Sequence, residues 1–107
     1  VPAGPGGTRL LRAGGKSVSR PIAVEVFSSP ACAKCLHAKT MLRALAAELG
    51  AKRVIWREVD ILAETERAIQ LGVLSAPAIA IDGVLVFPSL PRPERLRKAL
   101  LERLKAR

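Results

Sequence analysis

The sequence predicts an α/β fold: a four-stranded mixed sheet in the order βαβα–ββα, with helices on both faces. Three observations carry the prediction. Two β-branched runs, 22–27 and 53–61, flank a long helical pattern, the signature of a parallel βαβ unit. Two shorter apolar runs, 78–81 and 84–87, flank Asp82-Gly83, a strong signal for a tight hairpin. A crossover unit followed by a hairpin builds one sheet with parallel and antiparallel pairs, and its helices cover both sides.

With 107 residues the chain suits one domain. Half of it is hydrophobic, yet Phe27, Trp56 and Phe87 are its only aromatic residues, so the core must be aliphatic. The net charge of +9 is placed at the ends. Residues 1–20 carry four basic groups and no acid, and 91–107 carry seven against two, while 21–90 balances seven with seven. Neither basic end has aromatic side chains to stack on bases, so nucleic acid is not an expected partner. No run of about 18 apolar residues is present, which argues against a membrane span. Residues 1–20, rich in Gly and basic groups, read as a flexible arm, and 21–107 as the folded domain. The arm lacks the stretch of about 7–15 apolar residues that a signal peptide carries, so a cytoplasmic location is expected. A monomer is expected as well.

The elements follow in order. Residues 22–27 are apolar at nearly every position, as in a strand covered on both faces. Glu25 is the exception, and it fits either a solvated edge or an ion pair with a basic neighbour. Ala33 to Leu49 reads as a helix whose apolar stripe is Cys35, Ala38, Met41, Leu42, Leu45, Ala46 and Leu49. Gly50 stands where a left-handed residue would stop that helix. Arg53 to Ile61 is the second strand, Glu64 to Leu71 a short helix, and Val73 to Ala76 a connector into Pro77. After the hairpin, Pro88, Pro91 and Pro93 break the chain, and Pro93 opens a final helix through Leu96, Leu100 and Leu104.

The only two cysteines, Cys32 and Cys35, fall at the mouth of the first helix. Cysteines three apart close too small a loop to staple a fold, so their value is chemical. They share a helix face, near enough for a disulfide. The first helical turn offers unpaired N–H groups and the positive end of the dipole, and Lys34 adds a cation. A thiolate at Cys32 is stabilised there. That makes Cys32 the expected nucleophile and Cys35, on the apolar stripe, the resolving thiol. A structural zinc ion needs about four ligands, and beyond the cysteines the chain offers one histidine, His37. His37 itself reads as an exposed helix residue. Leu36 stands where c-type haem attachment needs His. Two thiolates also suit Cu(I), so a soft-metal carrier, or a redox-sensing module without turnover, is the alternative reading of the same pair.

The blocks V-E-V-F-S-S-P-A-C-A-K-C (24–35) and G-V-L-S-A-P-A-I-A-I-D-G-V-L-V-F (72–87) together resemble small thioredoxin-fold oxidoreductases. Among these, the chain is most similar to the glutaredoxin-like thioredoxins of archaea and some bacteria, over residues 22–104. The resemblance implies a thioredoxin-like fold and a redox-active Cys32–Cys35 disulfide, with no further cofactor and no metal. It implies an enzyme, a protein-disulfide reductase. Its partners would be disulfide-containing proteins and a thioredoxin-reductase-like or other dithiol donor. The family places a cis bond before the proline facing the disulfide, here Ala76–Pro77. It pairs an extended substrate with the backbone of the preceding residue, here Ala76, with Ser75 beside it. Ala31, Ala33, Ala76 and Leu74 would form a small apolar docking surface. Where typical thioredoxins read W-C-G-P-C, with a buried Asp six residues before the first Cys, this chain has Ala31, Ala33-Lys34 and Val26. The proton acceptor for the resolving step is therefore unassigned. Glutaredoxins read C-P-Y-C and carry Gly-Gly after the last strand. Here that stretch is Pro88-Ser89-Leu90-Pro91, which puts glutathione use in doubt.

Overall fold

The computed structural model describes residues 20–106, so the expected basic arm, apart from Arg20, lies outside the described residues. Seven elements follow one another: β1 (Ile22–Ser28), α1 (Ala33–Leu49), β2 (Val54–Asp60), α2 (Thr65–Leu71), β3 (Ala78–Ile81), β4 (Val84–Phe87) and α3 (Pro93–Lys105). The strands form one sheet in the order β2-β1-β3-β4. β1 pairs in parallel with β2 and antiparallel with β3, and β3 pairs antiparallel with β4. The sheet is mixed, as the crossover-then-hairpin pattern requires.

Successive side chains of a strand point to opposite faces, and that alternation divides the core in two. On one face Ile22, Val24 and Val26 of β1, with Ile79 and Ile81 of β3, meet Leu42 and Leu45 of α1 and Leu96 and Leu100 of α3. On the other, Phe27, Val59, Ala78 and Ala80 pack with Ala68 of α2. Helices thus cover both faces. A fully buried Val, Leu or Ile contributes about 1.5–3 kcal/mol relative to exposure, so the larger α1–α3 cluster carries most of the apolar stabilisation.

Glu25 lies on the α2 face of β1 and is 6% exposed. Its Oε1 accepts a hydrogen bond from Arg67 of α2 at 2.8 Å. Its Oε2 accepts from Arg67 Nε at 3.0 Å and from Arg57 of β2 at 2.8 Å. The Arg67 hydrogen bonds, opposed by burial and joined by Arg57, hold the Glu25 carboxyl below the usual glutamate range. Of the two environments the sequence leaves open for Glu25, the chain adopts the ion pair.

Two backbone positions fix the ends of elements. Asp82 and Gly83 both take positive φ, 51° and 80°, the conformation whose twist matches hairpin strands. Asp82 Oδ1 accepts from the Ala23 N–H at 3.0 Å and Oδ2 from Arg103 Nε at 2.7 Å, tying the turn to β1 and α3. Gly50 corrects the expectation of a left-handed helix stop. Its φ of 117° is positive, but ψ of 118° lies outside the left-handed helical well. That more open geometry lets the Gly50 carbonyl accept from the N–H groups of Arg53 and Val54, so β2 begins at once.

Candidate active site

The registers decide what meets at the cysteines. Ser28 pairs with Asp60 across the parallel ladder, and Phe27 with Ala78 across the antiparallel one. The end of β1, the end of β2 and the start of β3 therefore lie at one end of the sheet. The start of α1 follows directly from β1 and joins them. Ala31, Cys32, Ala33, Lys34 and Cys35 arrive on the β1–α1 turn, and Ser75, Ala76 and Pro77 on the approach to β3.

Ala31 turns the chain with φ 56°, and Cys32 then takes an extended conformation as the residue capping α1. Cys32 Sγ accepts a hydrogen bond from the Cys35 N–H at 3.1 Å. This satisfies one of the donors that a helix start leaves unpaired, and the same donor would stabilise a thiolate. Cys32 and Cys35 are joined as a disulfide, with Cα atoms 5.2 Å apart, inside the span a disulfide bridges. Cys32 is half-buried, whereas Cys35 is 2% exposed. The outer sulfur is thus the one within reach of another molecule. Lys34 is exposed, and α1 has no acid in its first turn, so no anionic side chain there offsets the positive end of the helix dipole.

The Ala76–Pro77 peptide is cis. Pro77 is buried and Ala76 half-buried, while Ser75 and Leu74 are exposed, Leu74 at 98%. Ala31 and Ala33 are exposed too. His37 is exposed and lines a shallow depression with Ala33, Leu36 and Thr40. Among the described residues, no group of three or more His, Cys, Asp or Glu side chains is arranged to hold a metal ion. No helix among them is long and apolar enough to cross a membrane.

A polar cluster lies close by. Buried Ser28, the last residue of β1, donates its hydroxyl to Glu58 Oε2 at 2.7 Å, and Lys39 of α1 donates to the same oxygen at 3.0 Å. These two bonds, the Ser28 one foremost, hold the Glu58 carboxyl below its usual range. The sequence alone does not single out these residues. The one signal was Lys39, four residues after Cys35 and so on the same helix face. Ser28 and Glu58 meet only through the β1–β2 register.

A half-buried cysteine capping a helix, bonded to a buried cysteine one turn on and set at the end of a mixed sheet, defines a thiol–disulfide exchange protein. Residues 22–101 match the thioredoxin domain family, and the chain belongs to it. It is 38% identical over 77 residues to a probable thioredoxin of Methanothermobacter thermautotrophicus, covering 72% of this chain and 89% of that one. To a thioredoxin of Methanocaldococcus jannaschii it is 29% identical over 83 residues, 78% of this chain and 96% of that one. Among solved structures, a protein disulfide oxidoreductase from Aeropyrum pernix K1 matches with a TM-score of 0.68 and 27% identity, over 83% of this chain and 40% of that chain. A variant thioredoxin from Halobacterium salinarum NRC-1 gives a TM-score of 0.68 at 17% identity, over 79% of this chain and 76% of that chain, a likeness of fold alone. The chain is a thiol–disulfide oxidoreductase, an enzyme working through a cysteine pair.

Proposed function

We propose that this domain reduces disulfides in partner proteins, with Cys32 attacking and Cys35 resolving. The observation carrying this reading is the asymmetry of the pair: Cys32 is half-buried and bonded to a helix-start N–H, while Cys35 is closed off. The Cys32 thiolate attacks a substrate sulfur and forms a mixed disulfide. Cys35 then attacks Cys32, releases the substrate as a dithiol and leaves the Cys32–Cys35 disulfide. Lys34 favours the Cys32 thiolate. Ala31, Ala33, Ser75, Ala76 and Pro77 receive the substrate segment, which aligns its backbone along Ala76. Exposed Leu74 and Leu36 widen that surface with apolar contact. A thioredoxin-reductase-like enzyme or another dithiol donor recharges the pair. A cytoplasmic setting, where thiols are kept reduced, suits this direction of flow.

Insulin disulfide reduction driven by a small dithiol tests the roles. Cys32→Ser is expected to abolish turnover. Cys35→Ser is expected to accumulate a mixed disulfide between Cys32 and substrate, visible by intact mass. Identical behaviour of the two variants would overturn the assignment. Equilibration of the pair against redox buffers tests direction: a reductant lies at about −220 mV or below, an oxidant well above.

A further inference from the structure

Cys35 must lose its proton before it attacks, and it does so at a site only 2% exposed. A thiolate formed away from water is costly unless a cation stands near it. Lys39 is the cation that helix spacing brings to the Cys35 face of α1. It follows Cys35 by four residues on α1, which puts their Cβ atoms about 5–6 Å apart on one face. A helical side chain also leans back over the turn before its own Cα, here the turn that carries Cys35.

Lys39 is not a loose surface lysine. Its side chain is 24% exposed, and its Nζ is held 3.0 Å from Oε2 of Glu58, whose own side chain is 45% exposed. Glu58 is held in turn by the hydroxyl of buried Ser28, which ends β1 four residues before Cys32. Glu58 pairs with Val26 in the parallel register, so it shares the sheet face covered by α1. The other elements around Cys35 bring one further carboxylate, that of Asp60, which is half-buried at the same end of the sheet. On α1, Lys34 and His37 are exposed. On β2, Asp60 Oδ1 accepts from the Leu62 N–H. Residues 73–81 contain no titratable side chain, and the buried side chains of α3 are Leu96 and Leu100.

We propose that the Lys39–Glu58 pair, anchored by Ser28, sets how readily the Cys35 thiol gives up its proton and thereby paces the resolving step. The proposal rests on the two-cysteine reading above. In that step the Cys35 proton passes to solvent, and the Cys35 thiolate attacks Cys32 Sγ. The bond from Cys32 to the substrate sulfur breaks, and the substrate thiolate leaves with the electron pair and takes up a proton. The Lys39 ammonium favours the Cys35 thiolate, and the Glu58 carboxylate opposes it by neutralising that ammonium. Ser28 fixes where the two meet. Lys39 and Glu58 are positioning residues: they act through Cys35.

The test uses the full reduced chain and a symmetrical nitroaryl disulfide whose thiolate is coloured, followed by stopped flow. One thiolate is released when Cys32 attacks and a second when Cys35 resolves. Lys39→Met is expected to move the pH midpoint of the second phase upward by roughly one unit and slow it about tenfold at neutral pH. Glu58→Gln keeps an acceptor for Ser28 and Lys39 but removes the opposing charge, so its midpoint is expected to move downward. Lys39→Arg should restore the unmodified profile. A cluster that merely held the fold would move both midpoints the same way or leave both in place, and either result overturns the proposal. A missing second phase in the unmodified protein would overturn the two-cysteine reading and this proposal with it.

Discussion

Ala31 precedes Cys32 and holds φ 56°, a conformation in which a Cβ costs about 1–2 kcal/mol. A β-branched side chain fits worse still. Ala31→Val is therefore expected to lower stability by about 1–2 kcal/mol in urea unfolding of the oxidised protein. Ala31→Gly should be nearly neutral, because relief of the strain is offset by the freer unfolded chain. A glycine variant as unstable as the valine variant would exclude backbone strain as the cause. At this scale the sequence was legible where chemistry is carried by spacing. Cys32 and Cys35 could be read from their separation and from the helix behind them. Ala31 could not, because alanine does not advertise a left-handed turn as glycine or asparagine does. Ser28 and Glu58 could not either, since their meeting depends on how two distant strands are offset.

Among the three helices described, α2 is the least anchored by packing: it spans seven residues, and Ala68 is its one buried residue. Its hold on the sheet leans on Arg67 and the buried carboxylate of Glu25. Hydrogen bonds to charged groups are worth about 1.5–3 kcal/mol, and the half-exposed arginines place this pair toward the low end. Glu25→Gln is expected to cost about 1–2 kcal/mol and to speed amide exchange in α2 more than in α1. The pH dependence has a definite sign. The folded-state pKa of Glu25 is lowered, so its contribution is complete above the usual glutamate range and is lost as pH falls through the lowered value. The acid limb of a stability–pH curve should therefore flatten in Glu25→Gln, and an unchanged limb would assign acid loss to other groups. Most element boundaries were legible, because period-2 and period-3.6 patterns survive in a mostly aliphatic chain. The register shift at Ile79/Ala80 in the hairpin was not, since it changes pairing without changing the apolar pattern.

At the scale of the whole molecule, the seven elements and two apolar clusters of the described residues fall within residues 22–105. A chain beginning at Pro21 is expected to unfold at the same urea concentration as the full chain and to reduce insulin at the same rate. A shifted midpoint would make residues 1–20 part of the folding unit. The fold class was legible because the order of elements allows few topologies once a crossover precedes a hairpin.

The Asp82 turn has a practical corollary. Because Asp82 holds both Ala23 and Arg103, the start of β1 and the last turns of α3 sit together at the end of the sheet away from the cysteines. Anything joined to either end of the domain is therefore attached behind its reactive face. Anchored to a solid support through its N-terminus, the protein should keep its full turnover per molecule, with Cys32 facing the solution like the tip of a probe mounted by its handle.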